Sequence, residues 1–267
     1  MQINQEQFNK IKHILPVQRG NVKIDNITFI NALLYICENG CKWRRLPKEY
    51  GKGKSIHMRF RRWVEDGIID KLFRELHVQD ILEVNPEALF IDSTIVKVHP
   101  NACGLVAHHW VGCSALHPGA LKKRGKQLIG RSKGGLTTKI HLMAANERKC
   151  VEFVLSEGQD HDAPHGRVLM DTVGKQKSVI PLVMDRAYED DYTRYIAQTL
   201  NFKPIVPPKS NRKNPWKYDK MLYRRRNEIE RLFRLTKDFR RIFTRYDKLD
   251  SSFIGFIQLA LIYMAIK

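Results

Sequence analysis

Tyr223, Arg226, Glu230 and Lys237 follow one another at intervals of three, four and seven residues in a segment of helical pattern. At about 100° per residue, these four fall within roughly 60° of one another around a helix. Leu222, Ile229, Leu232, Phe233, Phe239 and Phe243 take a different, broad sector that would face a core. A carboxylate flanked by cations on one polar stripe suits phosphate chemistry, provided further carboxylates converge on it. Two candidates exist: Asp92, inside an apolar run, and Asp185, at the end of another. Magnesium prefers oxygen ligands and takes one or two protein carboxylates, with substrate phosphate supplying more. A pair of such ions about 4 Å apart can activate the nucleophile and stabilise the leaving oxygen of a phosphodiester displacement. Singly, a strand-end Asp is an ordinary cap and a helical Glu an ordinary partner for Arg. The three acids together, with 44 residues between Asp185 and Glu230 and cations around the last, carry more weight.

The elements that must position these acids are of two kinds. The first ~80 residues read as helices: Ile27 to Cys37, stopped by Gly40, then a tight connection, then a helix capped by Ser55. That helix would bury Ile56, Phe60 and Trp63 and expose Arg59, Arg61 and Arg62. A further helix spans Gly67 to His77. Helix, turn, basic helix is the layout of a helix-turn-helix DNA reader, and equally that of a plain packing module. After Pro86 the texture changes. Ala88 to Val98 is a β-branched strand carrying Asp92, and Leu136–Ala144 and Val151–Leu155 are further strands. A helix from His165 to Val173 leads to the apolar run Val179–Met184, a buried parallel strand with Asp185 at its end. A helix at Asp191–Leu200 and a strand at Ile205-Val206 follow, then a basic loop, the Glu230 helix and a terminal helix. The order predicts an α/β fold with a mixed sheet, divided into residues 1–84 and 85–267. Acids at the carboxyl ends of parallel strands stand where ligands of such sheets bind.

Charge agrees with a polyanionic partner. The 267 residues hold 47 Lys+Arg against 28 Asp+Glu, a net +19, and nucleic acid is the commonest such partner. Residues 203–248 alone carry 16 cations and 5 acids, and residues 122–139 seven cations and no acid. No signal-peptide pattern opens the sequence and no uncharged run of 18 residues occurs, so a soluble intracellular protein without a membrane span is expected. Five scattered cysteines give no disulfide framework.

The stretches ALFIDSTIVKVHP around Asp92, GRSKGGLTTKIH at 130–141, VMDRAYEDD around Asp185 and YRRRNEIERLFRLTKDFRRIFTRYDK at 223–248 resemble bacterial insertion-sequence transposases of the DDE type, in the insertion-sequence family five group. The signature Tyr-x2-Arg-x3-Glu-x6-Lys is met at Tyr223, Arg226, Glu230 and Lys237, and NALLYICENGCKWRRLPKEYGKGKSIHMRFRRW resembles that group's leading domain. The resemblance implies a ribonuclease-H-like mixed sheet flanked by helices, preceded by a helical DNA-binding module. It implies Asp92, Asp185 and Glu230 as catalytic, metal-holding residues for Mg²⁺, with Mn²⁺ able to substitute. It implies double-stranded DNA as partner, both the element's terminal inverted repeats and its target, contacted through Tyr223, Arg226 and Lys237. Arg59, Arg61, Arg62, Arg131 and Lys133 are further candidate contacts. The activity implied is cleavage by a metal-activated water, then attack of the freed 3′-OH on target DNA, in a cytoplasmic, nucleoid-associated protein that multimerises on DNA. A nuclease that never joins strands, or a binder that only occupies element ends, would share these features.

One stretch departs from the family pattern: Leu105–Pro118 lengthens the link between the first two strands, an insertion that costs little stability if it is a surface loop. His99, Cys103, His108, His109, Cys113 and His117 match no familiar zinc spacing. Gly53-Lys54-Ser55 lacks the first glycine of a phosphate loop. Trp110 and Trp216 could stack on a flipped base or anchor their loops, and His161-Asp162, following a strand, could line the cleft, though a polar turn is the more ordinary reading.

Overall fold

Among the described residues, those before Pro86 form helices and those after it supply the strands. A computed structural model describes residues 1–20, 22–83, 86–102 and 127–267. The Leu105–Pro118 link, Trp110, and Cys103, His108, His109, Cys113 and His117 lie outside those residues. Two compact units are formed, each discontinuous in sequence: residues 1–76, 97–129 and 236–267, and residues 77–96 and 130–235.

The first unit contains α1 (Gln5–Ile11), α2 (Asn26–Asn39), α3 (Gly53–Glu65) and the start of α4 (Ile68–Glu83). Asp25 caps α2 by accepting from the Thr28 N–H at 2.8 Å, and Gly40 ends it in the left-handed region at φ +60°. Ser55 is not the cap of α3. The helix begins at Gly53, because that glycine sits against the Trp43 carbonyl where any Cβ would lie 2.0 Å from the oxygen. Ile56, Phe60 and Trp63 are buried as the periodicity predicts.

The C-terminal segment belongs to this unit, where its Thr244 and Arg245 pair in parallel with Lys97 and Val98. It holds a short helix at Arg240–Phe243, a two-residue strand at Thr244–Arg245, and a final helix at Asp250–Ile266 whose residues are buried almost all round. Gly255 lets that final helix approach α3, with Phe60 and Phe256 rings 4.6 Å apart. Among the described residues no helix is long and apolar enough to cross a membrane. Two buried arginines tie the segment down. Arg241 makes a two-pronged pair with Asp247 at 2.8 and 3.0 Å, and Arg245 reaches Asp250 at 2.6 Å.

The second unit is built on β1 (Leu89–Val98), β2 (Gly130–Ser132), β3 (Gly135–Ala144), β4 (Cys150–Glu157), α5 (Asp162–Val173), β5 (Ile180–Met184), α6 (Asp191–Thr199) and β6 (Phe202–Ile205). The sheet runs β2-β3-β1-β5-β6, with β4 on β3. Two antiparallel hairpins, β2–β3 and β3–β4, precede parallel pairs β1–β5 and β5–β6. Taking β1, β3, β4, β5 and β6 in order gives the ribonuclease-H-like arrangement the resemblance implied. The last strand begins at Phe202, earlier than Ile205, because Asn201 takes a left-handed turn at φ 61° and leads straight into the pairing. Leu169, Met170 and Ala197 of α5 and α6 pack with Leu89, Ile91, Leu182 and Met184 in one fully buried cluster.

The Arg241–Asp247 pair gives a test. Removing one partner of a buried ion pair leaves an uncompensated charge, so Asp247→Ala should cost about 3–5 kcal/mol in urea unfolding. The apolar double replacement Arg241→Met with Asp247→Leu should recover most of it.

Candidate active site

In β1 and β5 the apolar runs are fully buried on both strands: Leu89, Phe90 and Ile91 on one, Leu182, Val183 and Met184 on the other. Their parallel register pairs Leu89 with Leu182, Phe90 with Val183 and Ile91 with Met184. One step further along both strands stand Asp92 and Asp185, so the register that packs the core also brings the two acids level. Asp185 lies just past the end of β5, and its Oδ1 accepts from the Arg186 N–H at 2.5 Å, opening the short turn Arg186–Tyr188.

The third acid arrives on a helix that is not continuous. The predicted single helix from Tyr223 is split into α7 (Lys220–Arg224) and α8 (Asn227–Lys237), with a turn at Arg225–Arg226. Ile229, Leu232 and Phe233 bury the apolar face of α8 as expected, whereas Leu222 is only half-buried and Phe243 is exposed. Tyr223 and Arg226 therefore stand on α7 and the turn, not on the helix of Glu230. Arg226 bridges the gap instead. Its Nη1 donates to Asp92 Oδ2 at 2.6 Å and its Nη2 to Glu230 Oε1.

Electrostatics reports the same convergence. Burial pushes the Asp92 carboxyl from the ordinary 3.8 up to about 6. The Ser93 N–H at 2.8 Å and Arg226 pull it down, while the charges of Asp185 and Glu230 push it up. Against the cost of burial, Asp92, Glu230 and Asp185 hold the Arg226 guanidinium above its usual range. Burial raises the Tyr223 phenol, which also senses Arg226 and Asp185. Three acids, Arg226 and Tyr223 thus share one locus.

The remaining candidates are placed as follows. Lys237 is the last residue of α8, half-buried, its ammonium lowered by burial. Arg131 and Lys133 are exposed on the β2–β3 hairpin. Arg61 is exposed and paired with Glu65 at 2.8 Å, and Arg62 is exposed on α3. Arg59 is not the exposed cation expected. It lies over the Phe29 ring at 4.2 Å and donates to the Ile24 carbonyl at 3.0 Å, because the aliphatic stem of arginine packs well on an aromatic face. Trp216 is a loop anchor. Its Nε1 donates to the Val206 carbonyl at 2.8 Å, and Arg194 stacks on it at 3.6 Å.

A polar cluster behind the acids went unread in the sequence. Asp162, expected in a turn, opens α5 and accepts from Lys139 Nζ at 2.8 Å. His141 is fully buried, bonded through Nε2 to Ser156 Oγ at 2.8 Å and stacked on His165 at 4.6 Å. Burial, the neighbouring His165 and Lys139 lower it to about 4 despite Asp162, so it is neutral. Tyr188 fills the space left by Gly166, where a Cβ would come within 2.6 Å of the ring. Among the described residues its buried hydroxyl makes no full hydrogen bond; burial raises its pKa most, Asp162, Asp92 and Asp185 add to that, and the nearby Ser93 offsets part of it. Polar residues alternating with apolar ones in β3 (Lys139, His141) were the available signal.

The donor set suits a hard divalent cation: three carboxylates from two adjacent strands and a helix. Among the described residues no three such side chains stand close enough to share an ion in this arrangement. The guanidinium of Arg226 holds two of the acids in its place, and a built-in cation at that point fits a site for positive charge.

The Asp92 shift has a signed consequence. A folded-state value above the unfolded one favours the protonated form in the fold, so that contribution is full below about pH 3.8 and lost as pH rises through about 6. Metal-free Asp92→Asn should therefore exceed wild type by about 3 kcal/mol at pH 8, with the gap closing towards pH 4. Urea unfolding in a chelator at a series of pH values measures it.

Residues 84–265 match the transposase DDE domain family, and residues 3–73 match the putative transposase of the IS4/5 family. The uncharacterized protein y4sN of Sinorhizobium fredii is 32% identical over 124 residues, covering 42% of this chain and 95% of that protein. The putative transposase for insertion sequence element IS6501 of Brucella ovis is 29% identical over 126 residues, covering 47% and 95%. Among solved structures, a piggyBac transposase synaptic complex with hairpin DNA overlaps at TM-score 0.38 and 12% identity. It covers 78% of this chain, which spans about half (47%) of that one. A pre-cleavage Mos1 transpososome overlaps at TM-score 0.27 and 9% identity, over 98% of this chain and 84% of that one. Since the DDE match spans most of its length, the chain belongs to the transposase DDE domain family.

Proposed function

We propose that this chain is the transposase of an insertion sequence, binding its terminal inverted repeats and cutting and joining DNA at Asp92, Asp185 and Glu230. The observation that carries the reading is the register of β1 against β5, which sets Asp92 level with Asp185 while Arg226 draws Glu230 to Asp92. Residues 1–84 are the DNA-reading module and residues 85–267 the catalytic part. A divalent cation, Mg²⁺ or Mn²⁺, held by the three carboxylates would supply Lewis acidity to the scissile phosphate and acidify the attacking hydroxyl.

The side chains of the chain do the rest. Asp92, Asp185 and Glu230 would supply oxygens from three elements, drawn onto a shared cation once it binds, so one site would serve both displacements, hydrolysis by water and then attack by the freed 3′-OH. Neither displacement needs a covalent protein intermediate. Tyr223, Arg226 and Lys237 orient DNA about the site by offsetting phosphate charge and packing on sugar or base. Lys133 and Arg131 on their hairpin, and Arg61 and Arg62 on α3, would each contact phosphates, which fixes position but carries no sequence information. Arg59 is left out, since it is committed to Phe29 and Ile24. Two element ends cut together require a multimer on DNA, in the cytoplasm where the nucleoid lies.

The decisive experiment incubates the purified protein with a plasmid carrying the gene and its native flanks, adds Mg²⁺ or Mn²⁺, and maps new 3′ ends and joined products. Border cleavage with joining is expected, reduced more than about 100-fold in Asp185→Asn while duplex binding persists. Cleavage without joining would mean a nuclease, and binding without metal-dependent products a protein that only occupies its sites. A second measurement addresses the DNA surface. Lys133→Ala should weaken binding evenly across sequences and reduce the slope of log K against log salt by about 1.

A further inference from the structure

Two consecutive arginines occupy the turn between α7 and α8, and they are held very differently. Arg225 is tied to Glu228 at 2.7 Å and Glu87 at 2.9 Å, and lies near the Phe90 ring at 5.8 Å. None of these partners is an acid of the site. Arg226 spends both arms of its guanidinium on the site, one on Asp92 and one on Glu230, and its side chain is only 24% exposed. The other oxygen of Asp92 is taken by the Ser93 N–H. Among the described residues, every hydrogen bond Asp92 makes is thus to its own strand or to Arg226.

Arginine stays charged under all ordinary conditions, and its planar fork matches carboxylate and phosphate equally well. A divalent ion ligated by Asp92 and Glu230 would need the lone pairs that Arg226 now occupies, and would repel the guanidinium at contact distance. Both cations cannot hold the same two oxygens. Arg226 sits in a turn, so it can exchange partners by side-chain rotation without unwinding a helix.

We propose that Arg226 is an internal counter-cation that holds Asp92 and Glu230 together in the metal-free protein and hands them over on metal binding, becoming free for a DNA phosphate. The proposal rests on the metal reading given above and adds an order to it: the acids are released by one partner as they are taken by another. Coupling of this kind is reciprocal in binding free energy. Metal should tighten DNA, DNA should tighten metal by the same factor, and both effects should pass through Arg226.

The test measures Mn²⁺ binding by the full-length protein without DNA, from the electron paramagnetic resonance of free Mn²⁺. Arg226→Gln should bind Mn²⁺ more tightly than wild type, by roughly 5-fold or more, as expected for removal of a competing charge. Duplex binding by wild type should strengthen to a similar degree on replacing chelator with Ca²⁺, and that gain should vanish in Arg226→Gln. Arg225→Gln, altered beside the site, should bind Mn²⁺ as wild type does. If Arg226→Gln does not fold, Arg226→Lys, which keeps the charge but cannot fork, should still bind Mn²⁺ more tightly. Wild type that binds Mn²⁺ through Asp185 and Glu230, with Arg226 variants binding no more tightly, overturns this proposal alone. Wild type that binds no Mn²⁺, or binds it unchanged in Asp185→Asn and Glu230→Gln, overturns the metal reading and the proposal together.

Discussion

Like charges forced into one place are the constraint around which the second unit is organised. Asp92 and Asp185 are brought level because the residues before them, Leu89-Phe90-Ile91 and Leu182-Val183-Met184, must pair in register to bury both strands. A one-residue slip would turn every side chain to the other face, so the core leaves the acids no choice. Their repulsion is then a cost the apolar packing imposes on the fold. Burial does most to raise the Asp92 carboxyl, the charges of Asp185 and Glu230 add to that, and the fork of Arg226 offsets part of the cost. A site that is uncomfortable without added positive charge is poised to accept it.

The strands and their acids were legible in the sequence for the same physical reason. Continuous apolar runs ending at an aspartate permit few other structures, and the predicted spans at Ala88–Val98, Leu136–Ala144 and Val179–Met184 match β1, β3 and β5 within a residue. The helix carrying Glu230 was legible in its apolar face but not at its start. YRRRNEIER is mostly helix-forming, and Asn227 alone, a residue that favours helix starts, hints at a break at Arg225–Arg226. That turn is held by partners distant in sequence, Glu87 and Asp92, which pull two adjacent arginines in different directions. Ser55 misled in the opposite way. A good capping residue lay in reach, but close packing of Gly53 on the Trp43 carbonyl fixed the start earlier. The cluster of Lys139, His141, Asp162 and Tyr188 left only the alternation of Lys139 and His141 in β3 as a signal, because it joins three separate elements.

Net charge proved a coarse guide to where DNA would lie. Of the 16 cations in residues 203–248, several are spent inside the protein. Arg241 and Arg245 are buried on Asp247 and Asp250, and Arg212 is shared between Glu189 and Asp191. Such arginines contribute to the +19 but offer nothing to a phosphate backbone. The cations on the β2–β3 hairpin and on α3 are fewer and better exposed, and exposure counts for counterion release.

The buried arginines also show what sets Arg226 apart. Arg241 meets a single carboxylate through Nε and Nη2, its Nη1 donates to the Cys41 carbonyl, and its ring contacts with Trp43 and Phe256 fill the space around it. No cation could enter there without first dismantling the core, so that pair is a fixture. Arg226 divides its arms between two carboxylates on different elements and keeps a quarter of its side chain open to solvent. The same residue type is locked in one unit and replaceable in the other. The difference lies in the packing around the guanidinium, which leaves these acids a partner they can exchange without dismantling a core.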